Sequence, residues 1–316
     1  MRAIVLGVHV LDVLVRPVSE IPAGQGGRLV EEIRMTAAGT AGGTAITLAK
    51  LGAQVSSAGA IGSDALGDAL VSLLSRGGVD TSLLVRRDRV QTSASVLPIR
   101  PDGSRPAFHV IGANAAYGAD DAPWEAIAAA THLHLGAPEF MGGEQAARIL
   151  AFARENGVVT SADLLAPGDR AGAIRDWIAP ALGYLDYLLP NDEQVRGLTG
   201  ATDLAEGCRQ LVTAGVGCVA ATRGADGALV VTASDTLPVC AIATDVVDTT
   251  GCGDAFSAGF LRGRSRGQDL AGAAGLGCAT AAFVAGGLGS DHGDFDLRAA
   301  EALAATIDPV TPTRRP

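Results

Sequence analysis

The feature that most constrains the fold of this chain is a regular alternation of strand-like and helical runs that begins near Thr131. The apolar runs His132–Leu135 and Val158–Asp163 are typical of strands, and Glu144–Glu155 between them has the periodicity of a helix. Strands that alternate with helices predict an α/β fold with a mostly parallel sheet flanked by helices. Ligands of such sheets gather at the carboxyl ends of the strands, so we expect a site at that edge.

The first part of the chain departs twice from this alternation. We expect the β-like segments of the two departures to form a small sheet of their own, within one domain that covers residues 1–316. The departures occupy about 10–36 and 91–112, and a disordered tail is predicted at 309–316. The β-like segments are Val10–Val15 with Arg28–Met35, and Thr92–Arg100 with Arg105–Ile111, which flank the turn sequence Pro101-Asp102-Gly103.

The composition limits the classes of partner. Hydrophobic residues make up 48% of the 316 residues and charged residues 18%, which fits a globular protein. A formal net charge of −10 argues against a nucleic-acid partner. No run reaches the roughly 18 apolar residues of a membrane span, and Met1–Gly7 does not resemble a signal peptide. The five cysteines are scattered and odd in number, so we expect free thiols and a cytoplasmic location.

The stretch Asp248-Thr-Thr-Gly-Cys-Gly-Asp254 places a carboxylate just after a glycine turn, where a small-residue helix begins. Free N–H groups at a helix start form a site for an anion. A carboxylate beside an anion site needs a function, such as accepting a proton from an attacking hydroxyl, which indicates phosphoryl transfer to an alcohol. The alternative is an ordinary loop with an aspartate cap. The chain has no Gly-x-x-x-x-Gly-Lys-[Ser/Thr] phosphate loop and no early Gly-x-Gly-x-x-Gly unit.

The glycine turn resembles the C-terminal signature of the ribokinase-like (PfkB) carbohydrate kinases, with Cys252 where alanine is usual. Several weaker motifs follow one another in the order of that family over nearly the whole chain, and together they are far more specific than any one alone. They are Gly59-Ala-Ile-Gly-Ser-Asp-Ala-Leu-Gly67, Gly78-Val-Asp-Thr81, Gly112-Ala-Asn114, Pro190-Asn191 with Leu198-Thr-Gly200, and Thr222-Arg-Gly-Ala-Asp-Gly227.

The resemblance implies a ribokinase-like α/β fold in which the two β departures form a lid over an acceptor alcohol. It also implies that Asp254 deprotonates the acceptor hydroxyl, while the amides of Gly251, Cys252 and Gly253 hold the charge of the transferring phosphoryl group. This division suits phosphoryl transfer, in which positioning and charge stabilisation supply most of the acceleration.

On the nucleotide side, the resemblance implies that ATP binds together with Mg²⁺. Many relatives also need a monovalent cation, and Asp248 and the carbonyl of Thr250 are the matching positions for K⁺ here. The residues that match the family's nucleotide contacts are Asn191, Thr222, Gly224 and Gly227.

On the acceptor side, the resemblance implies that Asp12 binds hydroxyl groups. His109 lies just before Gly112 on the expected lid and is a further candidate, although an exposed strand histidine is an equally good account of it. The other positions that match the lining of the acceptor pocket are Gly39, Thr40 and Asn114.

Two positions depart from the family pattern. Gly43 stands where a sugar-contacting asparagine is usual, which removes an amide group and is expected to enlarge the acceptor pocket. Gln194 stands where a carboxylate usually helps to organise the water bound to Mg²⁺. Asp192 and Glu193 are the candidates to compensate, and Glu193 is a weak candidate for the Mg²⁺ site.

Other polar residues have competing interpretations. His132 and His134 lie on one face of a strand, as metal ligands would, but no third ligand has matching spacing. Cys252 lies at a helix start, where thiolates are stabilised, but a small residue that fills the alanine position is the better account. Asp163 ends a strand and is a candidate to face the active edge, although the family's companion residues after it are missing.

Three functions fit these observations. The first is an ATP-dependent kinase for the hydroxymethyl group of a small sugar or sugar derivative. The second is a nucleoside kinase, which needs a flat slot for the base and has Phe108 and Tyr117 near the relevant motif. The third is a catalytically weak sensor that binds a sugar or a nucleotide. Exposed lid strands favour pairing with a second subunit, so a homodimer through the lid is also expected.

Overall fold

The computed structural model describes residues 1–101, 104–166 and 168–307. The strands and helices of the first half are β1 (Arg2–Gly7), β2 (Val10–Arg16), β3 (Glu32–Ala38), α1 (Thr40–Lys50), β4 (Gln54–Gly62), α2 (Ala65–Arg76), β5 (Asp80–Arg87), β6 (Ala94–Pro98), β7 (Phe108–Val110), α3 (Trp124–Ala129), β8 (His132–Gly136) and α4 (Gly143–Glu155).

The second half continues the alternation and ends in a group of helices. Its elements are β9 (Val159–Asp163), α5 (Gly168–Leu182), β10 (Tyr187–Leu188), α6 (Asp192–Thr199), α7 (Leu204–Thr213), β11 (Cys218–Thr222), β12 (Ala228–Val231), β13 (Thr236–Val239), α8 (Cys252–Ser265), α9 (Leu270–Ala285) and α10 (Leu297–Ala304).

The main sheet has nine strands in the order β13-β12-β11-β10-β9-β8-β1-β4-β5. All pairs from β11 to β5 are parallel, whereas β12 and β13 add an antiparallel hairpin at one edge. The parallel strands therefore end at one common edge, as the alternation of strands and helices predicted. The fold class inferred from the sequence, an α/β fold of the ribokinase type, is confirmed.

Helices cover both faces of this sheet. On β1, Ile4 and Leu6 belong to the core beneath α3 to α7, whereas Ala3 and Val5 face the core formed with α1 and α2. The helices α8 and α9 pack tightly on each other and cover the end of the sheet that includes β11 and β12. In the described ranges, no helix is long and apolar enough to cross a membrane.

A second, four-stranded sheet has the order β3-β2-β6-β7. It contains all four β-like segments that the sequence assigned to a separate sheet, so that prediction is confirmed. The central pair β2 and β6 is parallel, and the two outer pairs are antiparallel. Asp102 and Gly103 of the predicted turn and the predicted tail at 309–316 lie outside the described residues.

The strand predicted at Arg28–Met35 begins and ends earlier in the chain than the observed strand β3, Glu32–Ala38. Its ladder with β2 begins at Glu32, which pairs with Arg16, and β2 ends there because Pro17 follows. Proline has no N–H group to continue the ladder, so residues 28–31 have no strand to pair with.

Candidate active site

The glycine turn before α8 adopts a conformation that requires glycine. Gly251 has φ 79°, and a Cβ atom there would lie 2.5 Å from the Cα and Cβ atoms of Ser290. Asp248 holds the turn in place. Its Oδ1 accepts hydrogen bonds from the N–H (3.0 Å) and the hydroxyl (2.7 Å) of Thr250, and its Oδ2 accepts one from the N–H of Gly289 (3.0 Å). The turn is therefore fixed to the segment that follows α9.

Three amides at this turn are free to bind an anion. The N–H groups of Gly251, Gly253 and Asp254 have no hydrogen-bond acceptor within the described part of the chain, whereas the N–H of Cys252 donates to the carbonyl of Thr249 at 3.2 Å. The position of a Cβ atom on Gly253 is open, with no atom within 4 Å. The free amides thus differ by one residue from the predicted set, because the amide of Cys252 is occupied and that of Asp254 is not.

The carboxylate of Asp254 packs against α1 at Gly43. A Cβ atom on Gly43 would lie 2.3 Å from Oδ2 of Asp254. The space left by the missing side chain is therefore filled by the carboxylate itself. The prediction that Gly43 enlarges the acceptor pocket was wrong, since that prediction ignored what packs against the helix.

Asp254 lies among other acidic groups. Burial raises its pKa well above the usual range, and the negative charges of Asp163 and Asp12 raise the pKa further, whereas Arg105 lowers it. A carboxylate with a raised pKa is a stronger base, which suits the acceptance of a proton from an alcohol near neutral pH.

The small sheet presents a row of polar side chains to the main body. Asp12 on β2 pairs in register with Thr36 on β3 and with Ser95 on β6, and Ser95 pairs with His109 on β7. Directly paired residues share one face of a sheet, so all four side chains lie on the same face. Oγ of Ser95 is 2.9 Å from Nδ1 of His109. Burial raises the pKa of Asp12 to about 6, against the opposing effects of the Ser95 hydrogen bond and the charge of Arg105.

The remaining predicted acceptor residues lie near the start of α1. Gly39 precedes the helix with φ 77°, and a Cβ atom there would lie 2.5 Å from the carbonyl oxygen of Val8. Thr40 has a buried hydroxyl with no hydrogen-bond partner in the described ranges, so it is available to a ligand. Asn114 instead binds the protein. Its Oδ1 accepts from the N–H of His9 (3.1 Å) and its Nδ2 donates to the carbonyl of His9 (2.9 Å).

A cavity of about 490 Å³ joins the glycine turn to the predicted nucleotide residues. Its lining includes Thr222, Gly224 and Gly227, and also Cys252 and Gly253 of the glycine turn. The structure therefore brings together residues that the sequence assigned to one ligand. The rest of the lining is mostly apolar and consists of Ala225, Ala241, Ile242, Ala243, Thr244, Val246, Thr249, Phe256, Cys278, Ala281, Ala282 and Ala285.

Asn191 and Gln194 are engaged at the start of α6. Oδ1 of Asn191 accepts from the N–H of Gln194 (2.7 Å), and Oε1 of Gln194 accepts from the N–H of Asn191 (2.9 Å), which is a capping box. Asn191 also bridges to Thr222 on the neighbouring strand. Of the two predicted substitutes for the missing carboxylate, Asp192 pairs with Arg196, and Glu193 is exposed to solvent.

Comparison with known proteins identifies the family. The family model described as "pfkB family carbohydrate kinase" matches residues 4–294. The chain belongs to the pfkB family of carbohydrate kinases. The resemblance inferred from the order of the motifs is thereby confirmed, and the chain is an ATP-dependent kinase of this family.

Two curated relatives match most of the chain. It is 28% identical over 269 residues to a nucleoside kinase of Methanothermobacter thermautotrophicus, a match that covers 84% of this chain and 83% of the relative. It is 31% identical over 252 residues to an ATP-dependent ribose-1-phosphate kinase of Halopiger xanaduensis, a match that covers 79% of this chain and 80% of the relative.

Solved ribokinase structures show the same fold. The ribokinase of Arabidopsis thaliana, solved with ribose and ATP, superposes with a TM-score of 0.81 at 21% identity and covers 96% of this chain and 98% of its own. The ribokinase of Thermotoga maritima gives a TM-score of 0.79 at 20% identity, and the match covers 96% of this chain and 99% of the ribokinase.

The sequence did not single out Arg105 as a residue of this candidate site. Arg105 precedes β7, and its Nε lies 3.7 Å from Oδ1 of Asp248. Its positive charge also lowers the pKa of Asp12, Asp254 and Cys252, so it lies close to the whole acidic group. No motif marks this arginine, because only the packing of the small sheet on the main body brings it here.

Each of the two strand histidines, His132 and His134, has a ring nitrogen at hydrogen-bond distance from a hydroxyl group of the protein. Nδ1 of His134 is 3.0 Å from Oγ of Ser161 on β9, and Nδ1 of His132 is 2.9 Å from the hydroxyl of Thr131. Within the residues that the structure describes, no three His, Cys, Asp or Glu side chains are grouped so as to hold a metal ion.

Proposed function

We propose that the chain transfers the γ-phosphoryl group of ATP to a hydroxyl of a small sugar or sugar derivative, with Asp254 as the general base. One observation carries this proposal. Asp254 belongs to the first turn of α8, whose Cys252 and Gly253 line the cavity of the predicted nucleotide residues, and the charge of Asp12 on the small sheet acts on its carboxylate.

In the proposed reaction, the acceptor oxygen forms a bond to the γ-phosphorus while the bond to the leaving oxygen of ADP breaks. The proton of the hydroxyl passes to the carboxylate of Asp254. The amides of Gly251, Gly253 and Asp254, together with the guanidinium group of Arg105, stabilise the negative charge on the transferring group. Bound Mg²⁺ would neutralise part of the charge on the phosphates.

The polar face of the small sheet favours a sugar. Thr36, Asp12 and Ser95 offer hydroxyl and carboxylate groups to the acceptor in one row. Neither aromatic candidate for a base slot supports a nucleoside. Phe108 pairs with Val96 on the other face of the small sheet and is 57% exposed, and Tyr117 is buried with its hydroxyl directed at the carbonyl of Asp121 (3.4 Å). A nucleoside acceptor is the second candidate, because a nucleoside kinase matches 84% of the chain.

A panel of acceptors with purified protein, ATP, Mg²⁺ and K⁺ tests this proposal. ADP release is measured with sugars, sugar phosphates and nucleosides. The variant Asp254→Asn is expected to lower kcat for the best acceptor by about 10²–10⁴-fold, the usual contribution of a general base. Equal turnover by parent and variant would show that Asp254 is not the base. Binding of ATP and sugars without any phosphorylation would support the sensor instead.

Dependence on K⁺ stays a prediction. Three hydrogen-bond donors already satisfy the carboxylate of Asp248, so a cation would have to use its remaining lone pairs and nearby carbonyls such as that of Thr250. Replacement of Na⁺ by K⁺ at constant ionic strength is the test. An unchanged rate would remove K⁺ from the proposed mechanism.

We also propose a homodimer through the small sheet. Part of the face opposite Asp12 is apolar and exposed, with Met35 52%, Val96 46% and Phe108 57% accessible to solvent. Exposed apolar side chains on neighbouring strands form a patch of the kind that marks protein–protein contacts. A second copy of the chain would cover this patch and the edges of the sheet.

A further inference from the structure

Lys50, the last residue of α1, is the only lysine of the chain. Every other one of the 24 lysine and arginine residues is an arginine. Arginine spreads its donors over a planar fork, whereas lysine carries three donors on a single nitrogen atom. We therefore expect the acceptors around this one ammonium group to converge on a point.

Three backbone carbonyls do converge on the ammonium group of Lys50. Its Nζ donates to the carbonyls of Asp291 (2.6 Å), His292 (3.2 Å) and Gly293 (2.6 Å), which uses all three N–H bonds. The centroid of the Phe295 ring lies 5.0 Å from the same nitrogen, a distance at which a ring attracts a cation. Carbonyl oxygens arranged in this way are also how proteins replace the hydration shell of a monovalent cation.

The carbonyls that bind Lys50 belong to an irregular segment with few hydrogen bonds of its own. Apart from the three bonds to Lys50, the backbone of residues 290–295 makes one hydrogen bond to the described residues, from the N–H of His292 to the carbonyl of Gly289 (3.0 Å). The ammonium group is therefore the main polar anchor of this backbone.

The anchored segment supports the glycine turn directly. The N–H of Gly289 donates to Oδ2 of Asp248, whose Oδ1 accepts the N–H of Thr250. Ser290 is 1% exposed, and its Cα and Cβ atoms lie 2.5 Å from where a Cβ atom on Gly251 would be. Close-packed atoms transmit a displacement to their neighbours, so a shift of residues 289–290 would move the amides of the turn.

We infer that the ammonium group of Lys50 acts as a fixed monovalent cation that positions the glycine turn for phosphoryl transfer. Lys50 is a positioning residue, since it acts through the backbone of residues 289–293. The inference rests on the proposed function, because that function gives the turn its task. The place is separate from the predicted K⁺ site at Asp248 and Thr250, since its oxygen atoms are the carbonyls of residues 291–293.

The test removes the fixed cation and supplies a free one. Lys50→Ala deletes the atoms of a propylammonium ion and leaves the three carbonyls without their donor. We expect kcat for the best acceptor to fall by about 10- to 100-fold, the effect of misplaced catalytic groups. Because the turn acts on the transferring group, the KM for ATP should change much less than kcat.

Propylammonium ions, added at constant K⁺ concentration and ionic strength, should restore at least about a fifth of the lost kcat, because they carry three N–H donors. Tetramethylammonium has no N–H bond and should restore nothing. The control is Arg76→Ala, since Arg76 is also a basic residue at the end of a helix, α2, but is exposed. Its kcat should stay within about twofold of the parent and not respond to either ion. A kcat of K50A within twofold of the parent, or an equal response to the two ions, would overturn the inference.

Two further measurements need no acceptor. Propylammonium should raise the melting temperature of K50A but not that of the parent, because a ligand bound only by the folded state stabilises it. A rise in melting temperature without recovery of kcat would reduce Lys50 to a structural residue and overturn its positioning role. The parent labelled with ¹⁵N-lysine should show one ammonium signal that persists at pH 7, since protected protons exchange slowly. Loss of that signal by pH 7 would contradict the convergent hydrogen bonds, even where K50A fails to fold.

The outcomes separate this inference from the proposed function. If the ammonium signal and the stabilisation by propylammonium appear but the acceptor panel yields no product, the kinase proposal fails. If Asp254→Asn loses activity and Lys50→Ala keeps it, only the inference about Lys50 fails.

Discussion

Asp254 shares its surroundings with two further carboxylates, Asp12 and Asp163, and with the guanidinium group of Arg105. Burial and the negative charges of Asp163 and Asp12 raise the pKa of Asp254, whereas the positive charge of Arg105 lowers it. The site is therefore arranged so that a proton can be held at Asp254.

Asp12 gives a prediction about pH. Its pKa of about 6 means that it is mostly protonated at pH 5 and mostly ionised at pH 7. If its carboxylate accepts hydrogen bonds from acceptor hydroxyls, the acceptor KM should fall as the pH rises through 6. We expect the KM for the best sugar to be roughly severalfold lower at pH 7 than at pH 5. In Asp12→Asn, which cannot ionise, the KM should be higher at pH 7 and nearly independent of pH. A KM of the parent that does not change across this range would exclude Asp12 as the acceptor contact.

Gly43 and Gly42 form a matched pair on α1. A Cβ atom on Gly43 would lie 2.3 Å from Oδ2 of Asp254, whereas one on Gly42 would first meet Cδ2 of His9 at an ordinary 3.8 Å. Gly43→Ala should displace the carboxylate and lower kcat by about 10- to 100-fold, the effect expected of a misplaced catalytic group. Gly42→Ala should keep kcat and raise the free energy of unfolding by about 0.5–1 kcal/mol, because alanine is the better helix former.

Steady-state kinetics and thermal unfolding of the two variants distinguish these effects. Full activity in Gly43→Ala would mean that Asp254 can act from another position, which would remove the packing argument.

At the scale of elements, the helix starts are of two kinds. The helices α2, α7 and α9 begin with Asp64, Asp203 and Asp269, whose side chains accept a backbone N–H. The helices α1, α4 and α8 begin instead at Gly39, Gly142 and Gly251, with positive φ and no side-chain cap. A helix without a cap leaves its first N–H groups available to a ligand. Of these three helices, α1 and α8 pack against each other where Gly43 meets Asp254.

The segment between β6 and β7 of the small sheet brings Arg105 to the site, and a substitution of this residue tests that contribution. Arg105→Met should lower kcat by about tenfold or more, because it removes a charge-assisted contact to the transferring phosphoryl group. The side chain is 37% exposed and makes one long ion pair, so the melting temperature should hardly change. The Kd for ATP, measured by calorimetry without acceptor, should also change little. A large loss of ATP affinity with an unchanged kcat would place Arg105 in ground-state binding instead.

At the scale of the molecule, the small sheet packs on the main body at several places, with Leu11 and Ala37 in the core formed with α1 and α2. Leu14 and Leu97 pack with Leu288, and Arg34 pairs with Asp291 (2.9 Å). The polar row faces the main body, and part of the apolar face, with Met35, Val96 and Phe108, is exposed to solvent. In the proposed function, both faces of one small sheet would be used, one for the acceptor and the other for the second subunit.

The proposed dimer predicts the effect of a charge on this face. Phe108→Glu should shift the protein from dimer to monomer, because a carboxylate cannot be buried without a partner in an apolar interface. Size-exclusion chromatography with light scattering gives the mass directly. Trp177→Gln on α5 is the control, since Trp177 is also exposed (60%) but lies outside the small sheet. A parent protein that runs as a monomer at all concentrations tested would remove the dimer.

Much of this architecture follows from the sequence alone. The alternation after Thr131 fixed the α/β class, and the two β departures in the first part of the chain became one separate sheet, as predicted. The turn at Gly251 was also predictable, because a positive φ and free amides at a helix start are properties of a few adjacent residues. The family followed from the order of several short motifs, which needs no knowledge of their distances in space.

Only the tertiary structure decided what lies against those local features. Gly43 meets Asp254, Arg105 reaches Asp248, and Lys50 holds the carbonyl of Gly293. The partners in each pair are far apart in the sequence, and their contact depends on how the helices and the small sheet pack. A pattern of residue types records which face of an element is buried, but not which side chain it is buried against. For that reason the glycine turn could be recognised from the sequence, whereas the contacts of Gly43 and Lys50 could not.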